Sequence, residues 1–474
     1  MAINTSDLLN GIPSVSELLE KPPVRALAGR LNRTVVAAGV RSFLDQLKSD
    51  LQRRVADTQL PSIRELAERA ARHVVALQRQ SQRPAINASG YILGSAWSSG
   101  PLAEDSLERV FAVGRDFVAA AELSSDSMLG ANSDLTTELC RLTGAPAAAI
   151  VHSYASAVWI TLSTIASGHE VVVSRGDFGD AEPGCSLAKL GAGANIAFKE
   201  IGTTNRVTAT DYEGAVLPQT AALLKFLPDD YCVAGKTESA ELEELVALAR
   251  ERELVLIDAL GAAPLAELPA AVSSPRRSAK ASLAAGADVV LLRGDGLVGG
   301  PVCGLILGRH EVVQRIVEHP LFAMCELDCL RAAILASTLE CHESSSHGEP
   351  NLPLWQLLST PVENLQNRAE RIAPQLSIAQ GVAAAEPVAM LSPLAAAYLP
   401  TCGLSSYGIS LAPSDGNAVE LANRLSVTTQ PVVGRIERNR LLLDLRTVFP
   451  RQDQSLVEGI LGSKSAASNA RSAC

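Results

Sequence analysis

Between Asn87 and about residue 340 the chain alternates short apolar runs with amphipathic stretches, and no other feature narrows the fold as far. AAAIV (147–151), EVVVS (170–174), AALLKFL (221–227), LVLID (254–258), DVVLL (288–292) and GLILG (304–308) are short and almost continuously apolar. Runs of that length and composition read as strands buried on both faces. Segments such as ELEELVALARER (241–252), apolar at helical spacing, fall between them. The alternation predicts an α/β fold with a mainly parallel sheet covered on both sides. Aromatic residues make up only 4% of the chain, so Ala, Leu and Val must fill that interior.

The flanks read differently. Leu44, Leu47, Leu51 and Val55 share one helical face, as do Ile63, Leu66, Ala70, Val74 and Leu77. Ser62 and Glu65, after Pro61, have the spacing of a capping box. Residues 1–83 are therefore expected to form a small helical domain, 84–350 the large α/β domain, and 351–462 a small α/β domain. In that last segment PVVGRIERNRLLLDLR (431–446) reads as two strands joined by a polar turn. ELPAAVSSPRRSAKAS (267–282) reads as a surface loop and CHESSSHGEPN (341–351) as a polar break. Residues 463–474, small and polar, are expected to be a disordered tail.

Charge is unevenly spread. Residues 1–83 carry thirteen Lys or Arg against eight Asp or Glu, an excess of five positives, which leaves the remainder at −15 out of a total of −10. A basic segment on an acidic body fits a module that binds a polyanion; a solvated helical surface is the competing account. No apolar run approaches the roughly 18 residues of a membrane span, and the first residues lack the pattern of a signal peptide. Nine cysteines in no framework spacing suggest reduced thiols and a cytoplasmic location. Cys325, Cys329, Cys341, His342 and His347 invite a zinc reading, but C-x3-C is not a knuckle spacing. Cys325 and Cys329 are expected one turn apart on a helix, as buried thiols.

In DVVLLRGDGLVGGP (288–301) an apolar run ends in Arg293-Gly294-Asp295-Gly296 and then turns at Gly299-Gly300-Pro301. This segment resembles the lysine loop of the bacterial selenocysteine synthase (L-seryl-tRNA(Sec) selenium transferase) family, with its Ser-Gly-Asp-Lys-Leu-Leu-Gly-Gly-Pro-Gln-Ala-Gly. Gly294, Asp295, Leu297, Gly299, Gly300, Pro301 and Gly304 match, and Gly296 stands in the place of the lysine. The resemblance runs from IPSVSELL (12–19) to PVVGRI and LLLDLR near residue 446. It implies a fold-type I pyridoxal-phosphate (PLP) transferase, aspartate-aminotransferase-like, as dimers or rings of dimers, with tRNA(Sec) bound through residues 1–83.

The family's chemistry needs a phosphate cup, a carboxylate at the pyridine nitrogen, a Schiff-base lysine and groups that hold the substrate. The resemblance places the cup at the strand-to-helix junction His152–Val158, where free amides and the Ser153 and Ser156 hydroxyls would face a phosphate. It places the carboxylate at Asp258, with Asp295 beside the missing lysine. Glycine cannot form the aldimine or move the Cα proton. Lys189, Lys199, Lys225 and Lys236 are the other lysines considered for that role. The family's His, Asn and Arg near the start of the domain become Gly94, Ala96 and Ser99, and its arginine-rich loop becomes SMLGANS (127–133). Basic residues after its His-Pro-Leu become Phe322, Ala323 and Glu326, whereas EIGTTNR (200–206), with Asn205 and Arg206, is kept.

Three readings follow. The first is a degenerate family member, a pseudoenzyme that keeps the fold and assembly. The second is a working transferase using an altered route, and the third a repurposed fold that binds a phosphorylated ligand non-covalently. On the first reading a lysine returned to position 296 would find its cup and its aspartate still in place.

Overall fold

The structure, a computed structural model, describes residues 12–28, 36, 37, 39–41, 43, 44, 47, 61–78, 84–93, 97, 100–118, 133–267, 276–343, 351–393, 403–426, 428 and 430–461. The chain divides into two compact units, Met1–Pro84 and Ala85–Cys474. The tail expected at 463–474 lies outside the described residues.

The first unit contains helices α1 (Val15–Leu19), α2 (Pro22–Ala28) and α3 (Ile63–Gln78). α1 starts at a capping box: Ser14 Oγ accepts from Glu17 N at 3.2 Å and the Glu17 carboxylate accepts from Ser14 N at 2.8 Å. Ser62 and Glu65 make the reciprocal pair ahead of α3, at 3.0 and 3.4 Å. Each pair satisfies amides that a helix start leaves without partners. Leu18, Val24, Val36, Val40, Leu44, Leu66, Ala70 and Val74 form its core. Ile63, expected on the buried stripe, is 39% exposed, because the stripe of α3 begins one turn later at Leu66. Leu51, Val55 and the Leu77 side chain lie outside the described residues.

The second unit is built on β1 (Ile86–Ala88), α4 (Glu104–Arg115), α5 (Ser133–Thr143), β2 (Ala147–Val151), α6 (Tyr154–Ala166), β3 (Glu170–Ser174), β4 (Asp180–Glu182), β5 (Cys185–Ser186), α7 (Leu187–Gly193) and β6 (Ala197–Ile201). It continues through α8 (Ala209–Ala215), β7 (Thr220–Phe226), α9 (Leu242–Glu251), β8 (Val255–Gly261), α10 (Ala279–Ala285), β9 (Val289–Arg293), β10 (Gly304–Gly308), α11 (His310–Val317) and α12 (Cys329–Glu343). The last elements are α13 (Pro353–Ser359), α14 (Val362–Leu376), β11 (Val382–Ser392), β12 (Leu404–Pro413), α15 (Ala418–Ser426), β13 (Val432–Glu437), β14 (Arg440–Asp444) and α16 (Asp453–Leu461).

The large sheet has the order β2-β10-β9-β8-β7-β3-β6. β10 runs antiparallel to both neighbours, and β9, β8, β7, β3 and β6 are parallel. Alternation along each strand splits the core in two. Val171, Val173, Ile257, Ala259 and Leu291 pack on the face covered by α6, while Val172, Leu223 and Leu256 pack against residues of α8 and α9 on the other. The edge strand β6 escaped the apolar-run reading, since only Ile201 of AFKEI is buried. The expected surface loop 267–282 is partly helix: Ser278 Oγ caps α10 by accepting from Ala281 N.

The smaller sheet has the order β1-β13-β14-β12-β11. Its hairpin turns at Arg438 and Asn439, with φ of 47° and 58°, the left-handed pair that matches strand twist. β1 pairs in parallel with β13, so residues 86–88 belong to this sheet and not to the large domain expected over 84–350. Ile86 and Ala88 pack with Leu365, Ala369 and Ile372 of α14. Among the described residues no helix is long and apolar enough to cross a membrane.

Arg446 ties α13 to the smaller sheet. It is 3% exposed, and its Nη1 donates to Leu357 O, Leu358 O and Thr360 O at 3.2, 3.0 and 3.0 Å. Nη2 donates on the other side to Ser405 O, so the guanidinium fork bridges carbonyls that a single ammonium cannot reach together. Arg446→Lys is expected to lower stability by about 2–3 kcal/mol, measured as a reduced denaturant midpoint with an unchanged slope.

Candidate functional site

The carboxyl ends of β7, β8 and β9 and the β4–β5 hairpin surround a cavity of about 380 Å³, the position at which α/β sheets usually hold ligands. Gly296 lines it, and so do Asp295, Arg293, Ala262, Asp229 and Glu182.

The loop after β9 is stitched to its surroundings by backbone. Gly294 N donates to Cys303 O at 2.9 Å, Gly300 N to Gly294 O at 2.9 Å and Leu297 N to Ala262 O at 3.3 Å. A Cβ on Gly294 would run into Cys303 Sγ, which explains glycine there. Gly296 is closed off in the same way. A Cβ at 296 would lie 2.5 Å from Ala262 Cα and 2.9 Å from its carbonyl carbon. Backbone cannot swing aside as a side chain does, so the space in which a lysine would start is filled by Ala262, the residue after β8. This corrects the expectation that a lysine returned to 296 would find a ready site.

Asp295 lines the cavity and pairs with Arg293, whose Nε and Nη2 donate to its two oxygens at 3.1 and 2.9 Å. Arg293 Nη1 also lies 3.7 Å from Asp229 Oδ2, and Arg276 Nη1 lies 2.7 Å from Asp229 Oδ1. Burial raises the Asp229 carboxyl above its ordinary range, and the two arginines oppose that rise. Neither Asp229, in the loop after β7, nor Arg276, in the expected surface loop, was found by the sequence reading. Their only signal was the position of each beside a strand end or helix start.

Ser153 and Ser156 sit at the start of α6, as expected. Ser153 Oγ accepts from Ser156 N at 3.1 Å, the two hydroxyls lie 2.8 Å apart, and Ser156 Oγ lies 2.8 Å from His152 Nδ1. The next amide, Tyr154 N, donates to Glu182 Oε1 at 3.0 Å. A carboxylate of the chain itself thus occupies the end of the helix where a phosphate would lie. Neither serine lines the cavity.

Asp258 is 1% exposed and does not line the cavity either. Its neighbours in β8, Ile257 and Ala259, face α6, so alternation turns Asp258 to the opposite face, beside Ser282 of α10. There burial raises its carboxyl, opposed by the Ser282 hydroxyl, Lys225 and Arg277, and Oδ1 has no hydrogen-bond partner.

The alternative lysines are engaged elsewhere. Lys225 Nζ donates to Ala240 O at 2.8 Å, Lys199 Nζ to Ala215 O at 2.8 Å and Lys189 Nζ to Gly184 O at 3.0 Å. Neither these nor Lys236 lines the cavity. The kept Asn205 and Arg206 are engaged by their surroundings: Asn205 Nδ2 donates to Lys236 O at 2.8 Å and Arg206 Nε to the Glu238 carboxylate at 2.6 Å. Phe322 is buried, and Ala323 and Glu326 are exposed away from the cavity lining. Gly94, Ala96, Ser99 and residues 127–132 lie outside the described residues. Cys325 closes a short turn and is buried, while Cys329 opens α12 and is exposed. The two are therefore not on one helix, and the expectation of two buried thiols fails at Cys329. His342 Nε2 lies 2.8 Å from Val298 O, and burial lowers its pKa.

The residues present do not fit the phosphorylated pyridine cofactor that the resemblance implies. Its lysine origin is filled, its helix end holds Glu182, and its presumed ring partner faces the other side of the sheet.

The family model for L-seryl-tRNA selenium transferase matches residues 85–449, and that for the selenocysteine synthase N terminus matches residues 11–47. The chain is 31% identical over 463 residues to an L-seryl-tRNA(Sec) selenium transferase of Moorella thermoacetica, covering 97% of each. It is 30% identical over 446 residues to that of Carboxydothermus hydrogenoformans, covering 94% of this chain and 95% of the other. Among solved structures, D-glucosaminate-6-phosphate ammonia-lyase superposes with a TM-score of 0.58 at 18% identity, over 82% of this chain and 97% of its own. The fold is that of the fold-type I PLP enzymes.

Gly296→Ala is expected to destabilise the protein by about 2–3 kcal/mol through the Ala262 backbone, and Gly296→Lys by at least as much. Thermal unfolding of the purified variants measures both.

Proposed function

The chain belongs to the L-seryl-tRNA selenium transferase family, and we propose that it is a member that has left lysine-dependent PLP catalysis while keeping the family's scaffold. PLP is the family's cofactor. The observation that carries the proposal is the closed glycine: position 296 has no amine, and the Ala262 backbone lies where its first carbon would be. A nucleophile cannot be restored by a small shift, because near-attack geometry tolerates displacements of well under about 1 Å. The engaged lysines elsewhere support the same reading.

The remaining role is one of binding and assembly in the cytoplasm. Residues 1–83, with their excess of five positive charges, are the segment suited to tRNA(Sec). A homo-oligomer is supported by apolar side chains left bare on and after α4: Leu107 is 53% exposed, Phe111 70% and Val118 51%.

Two measurements test this. The protein incubated with PLP and then reduced with borohydride should yield no pyridoxyl-lysine peptide; a labelled lysine at the cavity overturns the proposal. Binding of tRNA should weaken with salt by roughly 0.9 log units per log unit for each phosphate neutralised. It should be lost when residues 1–83 are deleted, with the sheet unit still folded by circular dichroism. Undiminished binding by the truncated chain would place the tRNA contact elsewhere.

A further inference from the structure

We propose that Glu182 is a built-in substitute for a phosphate group, and that through it the cavity refuses phosphorylated ligands even without covalent attachment. This deepens the reading above and rests on it. Loss of the lysine alone would leave a cavity able to hold pyridoxamine phosphate, so the two properties are separate.

The argument starts at the β4–β5 hairpin. Alternation along β4 puts Asp180 and Glu182 on one side and Ala181 on the other. Ala181, 1% exposed, packs in the core that contains α6, which pins the hairpin against that helix. Gly184, at φ 82°, turns the chain immediately afterwards. Glu182 is thereby delivered to the start of α6, where Tyr154 N donates to its Oε1 at 3.0 Å. α6 is 13 residues long, and its first amides carry the positive end of the helix dipole. A carboxylate there supplies the charge and the acceptor that a phosphate would otherwise supply. Ser153 and Ser156, the hydroxyls next in line, are bonded to each other and to the same helix start.

The rest of the described lining offers no second phosphate site. Among the described residues Arg293 is the one guanidinium lining the cavity, and its fork is already closed on Asp295. Asp180, Glu182, Asp229, Asp230 and Asp295 all face the same space. A phosphate dianion entering it would meet like charge, with no free cation among the described lining residues, in a partly enclosed region where screening by salt is weakened.

The test uses pyridoxamine phosphate, which is fluorescent and lacks the aldehyde needed to label a lysine. Its binding therefore reports on the anion site alone, whereas borohydride trapping with PLP reports on the lysine. The wild-type protein should not bind pyridoxamine phosphate. Glu182→Ala should gain affinity by about tenfold or more, and the gain should diminish with salt. Glu182→Gln, nearly the same size, keeps a variant available if alanine impairs folding, and it should show a smaller gain. Binding by the wild type as tight as by the variants overturns the proposal. So does a failure of both folded variants to bind, since the helix end would then be closed by something other than Glu182.

Discussion

The close approach of the end of β8 to the loop after β9 governs this site. Ala262 lies on Gly296 so tightly that a side chain at 296 must displace backbone. The hydrogen bond from Leu297 N to Ala262 O at 3.3 Å holds the two segments together. In a parallel sheet, loops at the carboxyl ends of neighbouring strands ordinarily stand apart around a ligand. Here two of them touch, and the cavity is what remains beside the contact.

Charge is managed by the same internal closure. Asp229 lies between Arg276 and Arg293, and Arg293 closes on Asp295. Buried ions need such partners, because taking either sign out of water alone is costly. The consequence is a site whose cation is already engaged and whose helix end already holds Glu182. Both groups that a phosphate would recruit are satisfied by the chain itself.

On the proposed reading, family membership and chemistry separate along a physical line. Gly294 lies against Cys303 Sγ and Pro301 O, Gly300 approaches Gly294 O, and Asn205 and Arg206 bond to Lys236 O and the Glu238 carboxylate. These residues shape the fold whether or not anything reacts within it. On the proposed reading, the lysine of the loop is a side chain with no such architectural duty, and its loss leaves the scaffold recognisable.

Much of the architecture was legible from the amino-acid order. Buried strands show as continuous apolar runs and α3 as an apolar stripe, because periodicity is a local property of burial. The absence of an amine at Gly296 was equally plain. Edge strand β6, with one buried residue, carried no such signal, and the exposure of Cys329 depends on where α12 begins. Pairing β1 with β13 depends on segments some 350 residues apart, and only the closed sheet joins them. The meeting of Glu182 with Tyr154, of Asp229 with two arginines, and the turn of Asp258 away from the cavity are likewise tertiary facts. The sequence by itself determined the sheet and the missing nucleophile, since both reside in residue identity and spacing. The tertiary structure alone decided that position 296 is closed by backbone and that the start of α6 meets a carboxylate, because only packing brings Ala262 onto Gly296 and Glu182 onto Tyr154 N.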